Sequence, residues 1–180
     1  SAEGQTAEAD LDATCSEVLA TIQAADGDTR HAFAVFKVSG LSSNALLEKV
    51  GEVMAGKAQL SSDEESAWSR VQRRVRTLCE ATATAGGRVM IDAEESWIQD
   101  AIDALAEDMM SDYNRECVVV YNTVQMYRHD RLAYLGAMAA RAEEGGYLCG
   151  VKLVRGAYME KERERAEERG MASPIQPDKA

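Results

Sequence analysis

Positive charge is scarce in this sequence: 20 Lys and Arg stand against 31 Asp and Glu, for a net charge of -11. Nucleic-acid affinity rests mainly on neutralising phosphates with such residues, so a general nucleic-acid binder is excluded. Any anion must be held by individually placed cations. Neither GxGxxG nor GxxxxGK[ST] occurs, so a bound dinucleotide would not be held in Rossmann fashion. The two histidines, His31 and His129, lie outside metal-like spacing and read as ordinary surface or core residues. Cys15, Cys79, Cys117 and Cys149 show no CxxC spacing, which removes a zinc knuckle and a disulfide framework and leaves reduced, mostly buried thiols. No apolar run approaches the roughly 20 residues that cross a bilayer. The N-terminus SAEGQTAEAD has neither a basic start followed by an apolar centre nor an initiator Met, and reads as an internal cut or processed end.

What is present is a core. With 46% hydrophobic residues, 180 positions suffice for one globular unit. Residues 1–30 form a helical N-terminal segment, in which Leu11, Cys15, Val18, Leu19 and Ile22 recur at helical spacing from about Ala7 to Ala25. Residues 31–180 then alternate. Four short apolar runs, AFAVFKV (32–38), RVMID (88–92), CVVVYN (117–122) and LCGVKLVRG (148–156), read as strands. Helical patterns separate them. One begins at Ser42 to Asn44, and one begins at a Ser61 or Ser62 capping box and ends before Gly86 and Gly87. Two more run from about Glu94 to Ser111 and from about Asp130 to Glu144. A charged helix, YMEKERERAEERG, closes the series before Pro174 and Pro177 and reads as solvated.

Strands with apolar centres, each between helices, imply a parallel sheet buried on both faces. Either an open doubly wound sheet or a (β/α)8 barrel satisfies that pattern. Polar residues at the ends of several strands, Lys37, Asp92, Asn122, and Lys152 with Arg155, favour the barrel, which gathers every strand end around one mouth. Four strands cannot close it, so the expected fold is α/β, a partial TIM-type barrel with later elements missing.

Each polar strand end also has a plainer reading. Lys37 can snorkel to the sheet edge, and Asp92 can cap the next helix. Asn122, with Thr123 and Gln125 close behind, forms a set of neutral donors and acceptors suited to a heteroaromatic ring edge. Lys152 and Arg155, three apart, point to opposite faces of a regular strand, so one alone faces the interior. Gly156 permits close backbone approach, and Tyr158 stands at the mouth. Met109, Met110 and Met138 read as core.

With these residues in place, the chain resembles the proline dehydrogenase family of FAD-dependent enzymes. The resemblance rests on VMIDAEESWIQDAI, VVVYNTVQMYRHDRL, GVKLVRGAYMEKERERAEERG and SPIQP, in that order, and extends more weakly to AFAVFKVSGL. It implies oxidation of L-proline to 1-pyrroline-5-carboxylate by hydride transfer to flavin N5, the first step of proline catabolism. Lys37 takes the place of the family lysine that pairs with the proline carboxylate. Asp92 becomes a site carboxylate and Ala93 backbone against the flavin. Asn122 falls on an amide contact to the isoalloxazine ring. Lys152 falls on the cation beside N5, where bacterial members commonly carry Arg. Arg155, Gly156 and Ala157 match the segment that wraps the cofactor, and Tyr158 the aromatic bordering the substrate.

The wording NTVQMY and ERERAEERG looks eukaryotic and mitochondrial. That implies the matrix side of the inner membrane, with peripheral membrane association and a quinone as electron acceptor; a bacterial member would be cytoplasmic. The family's late helix, with its Tyr and paired Arg, falls beyond residue 180, so the segment alone is expected to be inactive. The alternatives are a noncatalytic half-barrel scaffold or regulatory relative, and a different barrel enzyme for a phosphorylated substrate.

Overall fold

The computed structural model describes residues 7–24 and 33–177; His31 lies outside them. Within them are four strands, β1 (Ala34–Phe36), β2 (Val89–Ile91), β3 (Val120–Gln125) and β4 (Val151–Val154). Six α-helices accompany these, α1 (Glu8–Ala24), α2 (Asn44–Met54), α3 (Ser62–Thr84), α4 (Ser96–Tyr113), α5 (Arg131–Gly145) and α6 (Met159–Glu168), with a short 3-10 turn at Val38–Gly40. All strand pairs are parallel, and the strands lie side by side in chain order. A doubly wound sheet reverses its order at a switch point; this one does not. Right-handed crossovers without reversal put the connecting helices on one face, as in the wall of a (β/α)8 barrel. The partial barrel expected from the sequence is the architecture observed.

The core fills the space between sheet and helices. Phe36, Val89, Ile91, Val120 and Val124 from the strands meet Val75, Leu78, Ile98, Ile102 and Leu105 from the helices. Met109, Met110 and Met138 are buried there, as read from their spacing. Cys79 is buried too, and desolvation pushes its thiol up to about 12. Cys15 is likewise buried, but Cys117 is exposed and Cys149 only partly covered, which corrects the expectation of mostly buried thiols. Among the described residues no helix is long and apolar enough to cross a membrane.

The strands are shorter or shifted relative to the apolar runs, and two boundary differences bear on the site. β3 continues through Thr123, Val124 and Gln125, which pair with Lys152, Leu153 and Val154, so Asn122 sits inside the strand and not at its end. Meanwhile α4 starts at Ser96, so Asp92 is not its N-cap.

The capping box at α3 is present as expected. Ser61 Oγ accepts from Glu64 N at 3.3 Å, and Glu64 accepts from Ser61 N at 2.8 Å and from Lys49 Nζ at 2.7 Å. The Lys49 bond first, and then Ser61, hold the Glu64 carboxyl at about 2. Its folded value lies below the ordinary 4.5, so its contribution is complete above pH 4.5 and is lost as pH falls toward 2. Glu64→Gln is therefore expected to melt below the wild type at neutral pH, with the gap closing between pH 4.5 and about 2. Melting temperature against pH for the pair checks this; a gap that persists at pH 2 contradicts it.

Candidate functional site

Register decides which side chains share a face. Phe36, Ile91, Asn122 and Val151 stand side by side across the four strands and turn toward the helices. One residue further on, Lys37, Asp92, Thr123 and Lys152 turn the opposite way, to the barrel interior. The preceding interior row, Val35, Met90 and Tyr121, is apolar. A polar row, just past the ends of β1 and β2 and inside β3 and β4, thus stands above an apolar floor, to which Phe33 adds an edge-on contact with Tyr121 at 5.3 Å.

Opposite charges pair within the polar row. Lys152 Nζ donates to Asp92 Oδ1 at 2.7 Å, with side chains 33% and 24% exposed, so both remain reachable from the mouth. Lys37 Nζ donates to Tyr158 Oη at 3.1 Å and stands 5.8 Å from the ring centroid. That bond raises the lysine's affinity for its proton, and the charges of Glu94 and Asp92 add to it. Glu94 is itself buried. Burial pushes its carboxyl up, against bonds from the Ser39 amide at 2.9 Å and the Ser39 hydroxyl.

Four of the expected site residues, Lys37, Asp92, Lys152 and Tyr158, therefore come together. Ala93 follows Asp92 as buried backbone, while Arg155, Gly156 and Ala157 form an exposed turn after β4. Gly156 has φ of 154°, and a Cβ there would lie 2.9 Å from Met159 Sδ, so the turn favours glycine.

Asn122 does not join them. It is fully buried on the helix side, donating to Asp103 Oδ1 at 2.9 Å and to Tyr134 Oη at 3.0 Å, and so cannot present its amide to a ring in the barrel. Its neighbours Thr123 and Gln125 take the interior side. The Thr123 hydroxyl is buried and finds no hydrogen-bond partner among the described residues. Gln125 donates to the Glu94 carbonyl and accepts from Arg128 at 3.2 Å. The signal that distinguishes them is alternation, legible only once the true end of β3 is known.

α6 was read as a solvated helix, yet it is fastened down over the N-terminus of α4. Glu162, 2% exposed, accepts from Ser96 N and Ser96 Oγ at 2.6 Å each, supplying the cap that α4 lacks locally. The Arg165 guanidinium lies 3.9 Å from the Trp97 ring and pairs with Glu48, and Lys161 pairs with Glu95. These contacts hold Tyr158, at the head of α6, against Lys37.

The proline dehydrogenase family model matches residues 1–180, the whole chain. The chain belongs to the proline dehydrogenase family. It is 37% identical over 161 residues to the carbapenem antibiotics biosynthesis protein CarD of Pectobacterium carotovorum subsp. carotovorum, covering 89% of this chain and 42% of that protein. It is 35% identical over 120 residues to mitochondrial proline dehydrogenase 1 of Drosophila melanogaster, covering 67% of this chain and 18% of that one. The chain thus spans less than half the length of these curated relatives. Among solved structures, proline utilization A from Bdellovibrio bacteriovorus, inactivated by N-propargylglycine, superposes with a TM-score of 0.78 at 16% identity. The match covers 98% of this chain and 19% of that one, and it supports the barrel fold.

The donor set fits the flavin that the family resemblance implies. A flat aromatic ring with a polar edge needs an apolar surface and a few placed donors. The row Val35, Met90 and Tyr121, the Lys152 ammonium and the unpartnered Thr123 hydroxyl meet that description.

Proposed function

We propose that the full-length protein oxidises L-proline to 1-pyrroline-5-carboxylate with FAD, and that this chain contributes part of the site. The observation that carries the reading is the convergence of Lys37, Asp92, Lys152 and Tyr158 on one interior row. When bound, FAD supplies the two-electron oxidation, accepting hydride at N5 from the proline ring. The chain's own groups bind and orient. Lys37, kept protonated by Tyr158, offers its ammonium to the substrate carboxylate. Asp92 draws the Lys152 ammonium from β4 across the row and fixes it there, so positive charge is in place before reaction and costs no reorganisation. Ala93, Arg155, Gly156 and Ala157 are the residues that would hold the cofactor. Tyr158, tied down through α6, closes the substrate side and limits water.

A quinone is the proposed electron acceptor, reached through peripheral membrane association. The wording of NTVQMY and ERERAEERG supports a mitochondrial location, on the matrix side of the inner membrane; a bacterial parent would act in the cytoplasm. Segment 1–180 alone, lacking the family's late helix, is proposed to be inactive.

The test is proline-dependent dye reduction by the purified full-length protein, read beside its visible flavin absorbance. Retained FAD with proline turnover is expected. Retained FAD without turnover rejects the substrate, and absence of both points to the scaffold reading.

A further inference from the structure

We propose that Asp103, on the helix side of the sheet, is a positioning residue for the site, acting through a closed ring of hydrogen bonds that is buried except at Asp130; its catalytic consequence rests on the function proposed above. Asp103 is 4% exposed. Its Oδ1 accepts from Gln99 Nε2 at 2.8 Å and Asn122 Nδ2 at 2.9 Å, and its Oδ2 from Arg131 Nη1 at 2.6 Å. Two arms leave this carboxylate. In the first, Gln99 Oε1 accepts from Glu94 N at 2.8 Å, and the Glu94 carbonyl accepts from Gln125. In the second, Arg131 and Arg128 both donate to Asp130, at 3.0 Å from Arg131 Nε and 2.8 Å from Arg128 Nη2, and Arg128 Nη1 donates to Gln125 Oε1 at 3.2 Å. Both arms end on the Gln125 amide, so its orientation is fixed from two sides.

The ring's position argues for more than cohesion. The buried part of this cluster, Asp103 with Arg128 and Arg131, is replaceable, for stability alone, by well-packed apolar residues, while Asp130 stays half-exposed. This one spans the sheet and terminates on strand ends that carry the site: Glu94 is two residues from Asp92, and Gln125 pairs with Val154, between Lys152 and Arg155. Glu94 also holds Ser39, two residues after Lys37. Slack at Asp103 therefore reaches the backbone of Asp92 and Ala93 without any contact to substrate. Asn122 finds its place here, as the residue through which the centre of β3 is tied to Asp103. Outer partners that orient metal ligands carry about 10- to 100-fold in activity, and the same scale is expected of a ring that orients these site groups.

The experiment uses the full-length protein and compares Asp103→Asn with Val75→Ala, a buried truncation in α3 outside the ring. In Asp103→Asn the amide N–H must face a donor on one side or the other, Arg131 or the Gln99 and Asn122 amides, opening the ring while keeping shape. In the apoprotein, backbone amides of 92–96 and 125–128 are expected to exchange at least tenfold faster in Asp103→Asn and to remain unchanged in Val75→Ala. In the FAD-loaded protein, kcat for proline is expected to fall about tenfold with an altered flavin band, and Val75→Ala to change neither. Asp130→Asn, at the most exposed member of the ring, should repeat the pattern more weakly and replaces Asp103→Asn if that variant does not fold. If the variants lose melting temperature alike but exchange at 92–96, kcat and the flavin band do not move, the proposal is overturned. If the wild type itself does not oxidise proline, the proposed function fails, and the exchange rates alone decide the ring.

Discussion

Lys152→Met in the full-length protein is expected to lower kcat/KM for proline by roughly 100- to 1000-fold, the scale lost when a preorganised charge is removed from a reacting centre. Methionine keeps the length and most of the packing of the stem, so the change isolates the ammonium. Stability should barely respond. The ion pair with Asp92 is partly exposed, and water can take over the carboxylate, so the cost to folding is about 1 kcal/mol or less. Lys152→Arg keeps the charge but changes its shape, and should recover activity to within roughly tenfold of the wild type. Steady-state kinetics with circular dichroism on the three proteins reads both effects. Retention of near-normal kcat/KM in Lys152→Met would remove Lys152 from the reaction and leave the Asp92 pair a structural one.

That residue was legible because a lysine inside an apolar strand is costly without a purpose. Asp92 and Lys37 stood out for the same reason, and short apolar runs between helical patterns were enough to indicate the barrel wall. Asn122 carried the same signal and meant something else. Its partners Asp103 and Tyr134 lie 19 and 12 positions away, on helices whose facing sides no local pattern reveals. A buried asparagine satisfied from the helix layer does not end a strand, so β3 continues and its alternation gives the interior-facing positions to Thr123 and Gln125. α6 shows the same limit. Interleaved charges describe a solvated helix until a distant N-terminus, here Ser96, needs a carboxylate, and only the folded chain brings Glu162 to it.

No local pattern marks Asn114, yet its loss should be among the most destabilising single changes in the chain. It follows α4 with no surface exposed, and its side chain uses four hydrogen bonds. Nδ2 donates to the carbonyls of Val120 at 2.8 Å and Leu148 at 2.9 Å, and Oδ1 accepts from Val119 N at 2.9 Å and Val120 N at 2.8 Å. One amide thus joins the start of β3 to the approach of β4. Asn114→Ala strips four backbone groups of this partner, three of them buried and the fourth, the Leu148 carbonyl, only partly covered, for a total of about 3 kcal/mol or more at about 1 kcal/mol each. Asn114→Asp should be no better, because a carboxylate cannot donate to the two carbonyls and adds a buried charge. Urea unfolding measures this as a lower midpoint with unchanged slope. A loss under about 1 kcal/mol would mean that water enters and satisfies the carbonyls. Activity separates this residue from Lys152. Asn114 lies at the N-terminal ends of β3 and β4, opposite the mouth, where a barrel keeps stability apart from chemistry. Protein that remains folded in Asn114→Ala should therefore turn over proline with wild-type kcat, whereas Lys152→Met keeps its fold and loses its rate.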